Sequence, residues 1–350
     1  MTVGIYETAE LLEITSNIRN STPAFWSTFF TRQINFTTEE IFFDVVNADY
    51  RKLAPLVVPN VQGRIMRGVQ PYTSLSFKPA YIKIKDAVDP SRVIERRAGE
   101  QLITGSLSLQ QRKDAAIADI LRYHDTLIAN RLEWMAARAL IDASVTLTGD
   151  NYPTTTVDFQ RHASLTYTLS GAALWSAGTA TPLADIRNAR INAQNRSGQT
   201  IRRLVFGGTA WEHFTARVDL KAEQDRNFGG KVVEIQRDFD GFDGQEYMGR
   251  YGGMFGGNAM ELWVDRSKFV DEAGNEQFFL PQNNVVGFAD AEGVRCFGAI
   301  KDFDAGLQPL ERHQKMWREN DPSGEFILTQ TAPLMVPKKP NASFRLIVSA

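Results

Sequence analysis

Cysteine is nearly absent from this chain: Cys296 is the only one in 350 residues. A single thiol excludes an intrachain disulfide, a CxxC pair and every multi-thiolate zinc site, and it fits a reducing compartment. Histidine is scarce too. His124, His162, His213 and His313 are far apart in the sequence and none stands four residues from another, so no paired-imidazole metal site is expected. Neither charge sign dominates: 39 basic and 41 acidic residues leave a formal net charge of -2, and no global field would hold the chain on nucleic acid. No apolar run approaches the ~18 residues of a membrane helix. The start, MTVGIYETAELLEITSNIRN, lacks the basic stretch and apolar core of a secretion signal. A cytosolic product with no membrane partner is the expectation, and the Asn-x-Ser/Thr triplets at Asn20, Asn35, Asn195 and Asn341 then read as chance matches.

Catalytic and phosphate-binding signatures are missing as well. Gly252 and Gly257 have P-loop spacing, but Asn258 and Ala259 stand where a lysine and a hydroxyl residue would be needed. Around Gly230 and Lys231, Asp225 replaces the first glycine and Val232 the hydroxyl residue. Asp238, Asp240 and Asp243 imitate a calcium loop, yet Phe242 and Asp243 occupy the positions that require Asp or Asn and then Gly. Ser176 lies in LWSAG, where Leu174 stands in place of the first glycine of a nucleophile elbow. Asp302 and Asp304 form a carboxylate pair of a kind common on ordinary surfaces. Cys296 sits inside an apolar, strand-like run and reads as a buried structural thiol. No enzyme activity and no cofactor are expected.

What is present is a full-sized globular composition. At 39.2 kDa, with 43% hydrophobic and 23% charged residues, the chain can bury a large core in two or three lobes. Residues 7–19 place Leu11, Leu12, Ile14 and Ile18 at helical spacing after Thr8, and Pro23 ends that run. Phe25, Trp26, Phe29, Phe30, Phe36, Phe42 and Phe43 then crowd a short span. Such a density is either a peripheral satellite core or an arm that docks on another chain. Between residues 51 and 98, five prolines interrupt short β-prone pieces, which predicts a two-stranded extension or an edge ribbon that needs a partner surface. Its cations include Arg64, Arg67, Lys78, Lys83 and Lys85, with Tyr81 among them. They form either a solvated face or a strip that pairs with an acidic neighbour.

From Leu109 to Ala143 apolar residues recur every three or four positions, including Ile117, Ile120, Leu121, Leu127, Ile128, Leu132, Met135 and Leu140. Arg112, Lys113, Asp119, Arg122, Asp125, Arg131 and Arg138 fall on the remaining faces, so one long spine helix is predicted. A second helix begins after Pro182, a buried strand runs through IRRLVFGG, and Thr209 caps a third helix. Further strands are AMELWVD and NNVVGFAD, and the mixture defines an α+β fold.

Several separated segments resemble the major capsid protein E family of tailed double-stranded-DNA phages. They are FFTRQINFTTEEIFFD, LAPLVVPNVQGRIMRG, FKPAYIKIKDAVDP, FFLPQNNVVGFADAEGVRCFGAIKDFDA and KMWRENDPSGEFILTQTAPLMVPKKP, in that order from about residue 6 to residue 340. Residues 145–230 carry little of the resemblance. The likeness implies a tailed-phage major capsid fold with an N-terminal arm (1–48), an extended β-ribbon loop (49–100), a peripheral domain with the spine helix (101–180), an axial domain (181–310) and a C-terminal return (311–350). It implies a head protein that forms hexamers and pentamers of an icosahedral shell, first as a procapsid, enclosing DNA without sequence-specific binding. A scaffolding protein, a portal and a decoration protein at three-fold sites are the implied partners, and assembly in the host cytoplasm into the virion is the implied location. Inter-subunit contacts are expected from Phe25, Trp26, Phe29, Phe30, Arg64, Arg67, Lys78, Tyr81, Lys83 and Lys85. Two other readings stay open on the residues alone: an α+β enzyme or ligand-binding protein using the Gly-rich loop 241–257, and a nucleic-acid-binding module using the cations of the ribbon.

Overall fold

The computed structural model describes residues 24–46, 72–94, 108–149, 152–216, 244–251, 260–290, 293–320 and 323–349. The elements in chain order begin with α1 (Ala24–Thr28), β1 (Arg32–Asn35), β2 (Ile41–Val46), β3 (Tyr72–Phe77), β4 (Ile82–Val88), α2 (Pro90–Ile94) and the long α3 (Leu109–Ile141). Next come β5 (Ser144–Gly149), β6 (Tyr152–Asp158), β7 (Thr166–Thr168), α4 (Pro182–Ser197), β8 (Arg203–Gly207), α5 (Gly208–Thr215), β9 (Gln245–Tyr251) and β10 (Met260–Asp265). The remainder is β11 (Lys268–Val270), β12 (Glu276–Phe278), β13 (Asn284–Phe288), β14 (Gly293–Phe297), β15 (His313–Asn320), β16 (Ser323–Thr331), β17 (Pro333–Pro337) and β18 (Ser343–Ile347).

Helix α3 is the predicted spine. Its 33 residues span about 50 Å. Ser108 and Gln111 close a capping box at its start: the Ser108 hydroxyl accepts from the Gln111 N–H and the Gln111 side chain accepts from the Ser108 N–H. Its other end is held by Arg161, whose guanidinium donates to the carbonyls of Leu140 and Ile141 at 2.7 and 2.8 Å. The faces differ from the sequence reading in two respects. Leu127, expected on the apolar stripe, is about one-third exposed, whereas Lys113 and Asp125, expected in solvent, are buried. Both buried charges are partnered by distant segments, Lys113 by Glu325 and Asp125 by Arg312.

The central sheet has six strands in the order β7-β18-β13-β8-β10-β9. Strand alternation sends Val205, Val286 and Phe288 to one face, against α3 and the β14–β17 pair, and Leu204, Phe206, Val285 and Val264 to the other, against α4 and α5. Cover on both faces explains why NVVGF reads as a continuous apolar run. A three-stranded sheet, β1-β14-β17, carries Cys296 at its middle. Another, β15-β16-β4, lays Val88, Met316 and Ile327 on Ile117, Ile120 and Leu121 of α3.

The remaining sequence expectations fare unevenly. The second helix starts at Pro182 and stops where Gly198 takes a left-handed conformation. Thr209 lies inside the first turn of α5, whose cap is Gly207. The ribbon strands do not pair with each other: β3 pairs with β2, and β4 pairs with β16 at a sheet edge. The expected helix at 7–19 lies outside the described residues, as do Arg64 and Arg67. The C-terminal strands serve three sheets, since β16 joins β4, β17 joins β14, and β18 joins β13.

Candidate functional site

The N-terminal aromatic cluster packs inside the chain, which corrects its assignment as a docking surface. Phe25, Phe29 and Phe30 are fully buried, with the Phe29 ring edge-on to Phe30 at 5.0 Å and to Phe288 at 5.5 Å. Trp26 is half-buried beneath the Arg295 guanidinium, 4.7 Å from its ring. Glu133 of α3 holds the cluster. Its carboxylate accepts from the N–H groups of Ala24, Phe25 and Trp26 at 3.0, 2.7 and 3.0 Å, satisfying the free donors at the start of α1. Burial pushes the Glu133 carboxyl up to about 7 against the lowering pull of those N–H groups, and the nearby Asp265 carboxylate adds to the rise. Asp265 is itself pushed up to about 6 by burial, opposed by hydrogen bonds from Ser267 and Gln245. Phe25, Phe29 and Phe30 thus join the main core with α3 and the central sheet, neither a satellite core nor an outward arm, while Phe42 of the same span is exposed.

The expected ribbon contacts that are described behave differently. Lys78, Lys83 and Lys85 are exposed. Lys78 pairs with Glu39, which also binds Lys301 at 2.5 Å. The Tyr81 hydroxyl donates to the Ala299 carbonyl at 2.6 Å and accepts from the Lys301 N–H at 3.2 Å, so the approach to β4 is fastened to the loop after β14. The Lys83 ammonium sits 5.4 Å from the Tyr81 ring, and that of Lys85 lies 3.9 Å over Phe326 and 5.1 Å from Trp317. Lys83 and Lys85, with the half-buried Trp317, Phe326 and Leu328, make a mixed face on the sheet β15-β16-β4.

Burial pushes the Cys296 thiol up to about 12, which makes it a poor nucleophile. Lys315 binds both Asp302 and Asp304, at 2.6 and 3.4 Å. Among the described residues no group of three His, Cys, Asp or Glu side chains is placed to hold a metal ion. No described helix is long and apolar enough to cross a membrane. Part of the Gly-rich segment, Gln245–Tyr251, is strand β9 in an antiparallel pair with β10, and residues 252–259 lie outside the described residues.

Sequence reasoning missed two exposed features. Phe303 stands out on a turn between Ile300 and Gln308. A groove opens between β3 and β6, lined by Phe77, Tyr152 and Pro153. The signal for the first was an aromatic inside KDFDAG, an otherwise polar turn sequence. The groove joins residues 75 positions apart and has no local signal.

Comparison with known proteins agrees with the geometry. The family model of phage major capsid protein E matches residues 7–348. The chain is 28% identical over 347 residues to the major capsid protein of Escherichia phage lambda, covering 97% of this chain and 98% of that protein. It is 27% identical over 349 residues to the major capsid protein of Enterobacteria phage phi80, at the same coverage. Among solved structures, the putative capsid protein of a prophage of E. coli CFT073 superposes with a TM-score of 0.74 at 21% identity, covering 99% of this chain and all of that one. The capsid structure of cyanophage P-SCSP1u matches with a TM-score of 0.50 at 10% identity, over 95% and 89% of the two chains. The architecture is thus the phage capsid fold, mixed α+β, and the chain belongs to the phage major capsid protein E family as a structural protein of the virion shell.

Proposed function

We propose that copies of this chain assemble into the hexamers and pentamers of an icosahedral head that encloses double-stranded DNA. The observation that carries this is the family match from residue 7 to residue 348, with capsid proteins covered almost end to end. Assembly begins in the host cytoplasm as a procapsid around a scaffolding protein, on a portal, and a decoration protein binds at local three-fold sites. A formal net charge of -2 suits a container that must let DNA slide during packaging, because a strongly basic inner wall would hold the phosphates.

The division into arm (1–48), extended loop (49–100), peripheral domain (101–180), axial domain (181–310) and C-terminal return (311–350) is our reading of the parts. The length of α3 supports a spine in the third range, and strands β8, β9, β10 and β13 of the six-stranded sheet support a body in the axial range, which β7 and β18 join from the peripheral and C-terminal ranges. Of the ribbon, Arg64, Arg67, Lys78, Tyr81, Lys83 and Lys85 are the strip we assign to inter-subunit contact, on the ground that the described lysines are exposed. Heterologous contacts of this kind close into rings.

Negative-stain microscopy and sedimentation of the purified chain, alone and with a co-expressed scaffolding protein, test the proposal. Shells or ring-shaped capsomers are expected. A chain that remains monomeric at high concentration in both preparations overturns it.

A further inference from the structure

Phe303 is 90% exposed, yet the turn that carries it is held firmly. The Gly306 N–H donates to the Phe303 carbonyl at 2.9 Å, and the Leu307 N–H donates to the Asp302 carbonyl at 3.3 Å. The Asp302 carboxylate accepts from the Asp304 N–H at 3.1 Å and from Gln330 Nε2 at 2.7 Å. Leu307, also exposed, sits at φ 54°, a left-handed conformation that costs a residue with a Cβ about 1 kcal/mol. A strained, tightly bonded turn that lifts a bare phenyl ring into solvent is a formed knob. A loose loop would let the ring fold back.

The second feature is a recess. The groove beside β3 and β6 encloses about 440 Å³, within the range of sites that take a small ligand or a side chain. Phe77, Tyr152 and Pro153 make its walls apolar, and Lys78 stands at its edge. Its shape is fixed by the Tyr152 hydroxyl, which donates to the Lys78 carbonyl at 3.2 Å. Knob and groove belong to one patch: Glu39 binds both Lys78, at the groove, and Lys301, two residues before Phe303.

We propose that the Phe303 turn of one copy seats in the Phe77–Tyr152–Pro153 groove of a second copy, and that the second copy returns the contact. This rests on the self-assembly proposed above and names one of its contacts. A knob and a groove joined through one ion network are what a two-fold, self-complementary interface needs, since each copy then gives and receives the same contact. The charges agree with this occupant. Asp304, two-thirds exposed beside the phenyl ring, would meet Lys78, 59% exposed at the groove. Across one interface that makes two rings seated and two opposite-charge pairs formed.

The test uses two differently tagged full-length chains, Phe303→Cys in one and Ser76→Cys in the other, because Ser76 lines the groove and Cys296 is buried and silent. Mixed and gently oxidised, they should yield a disulfide-linked heterodimer carrying both tags. Phe303→Ser should leave thermal unfolding unchanged and raise the concentration at which particles form by tenfold or more. Asp304→Lys and Lys78→Asp should each weaken assembly, and the double reversal should restore it. Normal particles from Phe303→Ser with no mixed disulfide overturn the contact while leaving the capsid reading intact. A Phe303 cross-link found only to a co-expressed scaffolding or decoration protein also overturns it. If the unmodified chain forms no particle at all, the assembly proposal fails, and the mixed disulfide alone then decides whether two copies meet here.

Discussion

Glu133 is the point where burial and hydrogen bonding oppose each other most directly, and replacing it separates the two. Three N–H groups, two buried and one partly buried, depend on this carboxylate. Glu133→Ala orphans all three, and at about 1–3 kcal/mol for each unsatisfied buried donor, moderated by relaxation of a five-residue helix, the loss should be about 3–5 kcal/mol. Glu133→Gln keeps one oxygen for Ala24 and Phe25 but turns an amide donor toward the Trp26 N–H, so it should lose about 1–3 kcal/mol. The dependence on pH is the sharper test. Burial raises the folded-state value from the ordinary 4.5 to about 7, so between those values the folded chain keeps a proton that the unfolded chain has released. This contribution is fully present below about pH 4.5 and lost as pH rises through about 7. At roughly 1.4 kcal/mol per pH unit, the advantage of wild type over Glu133→Gln should shrink by about 3 kcal/mol between about pH 4 and pH 8. Urea unfolding followed by tryptophan fluorescence measures it, and taking the difference between the two proteins cancels most other titrating groups. The exception is Asp265, whose charge is coupled to Glu133, so a parallel Asp265→Asn background belongs in the experiment. A difference that stays constant with pH would refute the reasoning, because it would mean that the three N–H groups keep Glu133 ionised throughout.

Gly293→Ala should destabilise by about 1–3 kcal/mol, since the added Cβ would run into the rings of both Phe29 and Phe30; an unchanged urea midpoint would place the aromatic cluster elsewhere. Phe29→Ala should cost about 3–5 kcal/mol and reduce soluble yield, as for a core aromatic, whereas an arm residue would lose assembly and keep its unfolding curve. Arg161→Ala should lower stability by about 2–3 kcal/mol because two carbonyls at the end of α3 lose a charged donor, with Arg161→Lys recovering only part; matched urea curves check both. A maleimide titration should find Cys296 unreactive until denaturant is added, as its burial and raised thiol value require.

The sequence made α3 legible because its apolar period is local; its capping box, Ser108 to Gln111, is equally local but was not read from the sequence. Strands β8, β10 and β13 were legible for a related reason: a short buried strand between glycines or loops looks the same wherever its partners lie. Partners were not legible. Glu325 neutralises Lys113 from 212 positions away, and nothing near either residue announces that pairing. The density of Phe25, Trp26, Phe29 and Phe30 was plain, but density does not reveal whether the rings turn inward, and a single acid in the otherwise apolar LEWMAA decided it. The prolines pointed to a two-stranded extension or an edge ribbon; β4 lies at a sheet edge, but its partner is β16, more than two hundred residues downstream, and not β3.

A shell subunit faces a constraint that the exposed surface reflects. A large apolar patch would drive disordered association before rings could form, while a wholly polar surface would supply no attraction. The knob at Phe303 lies between those limits. Seating a phenyl ring is worth about 1.5–3 kcal/mol, and a reciprocal pair of rings about twice that. Joining two free subunits costs about 4–15 kcal/mol in lost translation and rotation, so this contact alone would not hold two copies together in dilute solution. Within a shell the same contact forms across a two-fold between subunits of adjoining rings that are already held, and the entropic cost has been met by the other interfaces. The contact therefore adds most where several subunits are already in place, and it releases a misplaced subunit readily. Cross-linking should capture the pair under conditions where sedimentation still finds free subunits.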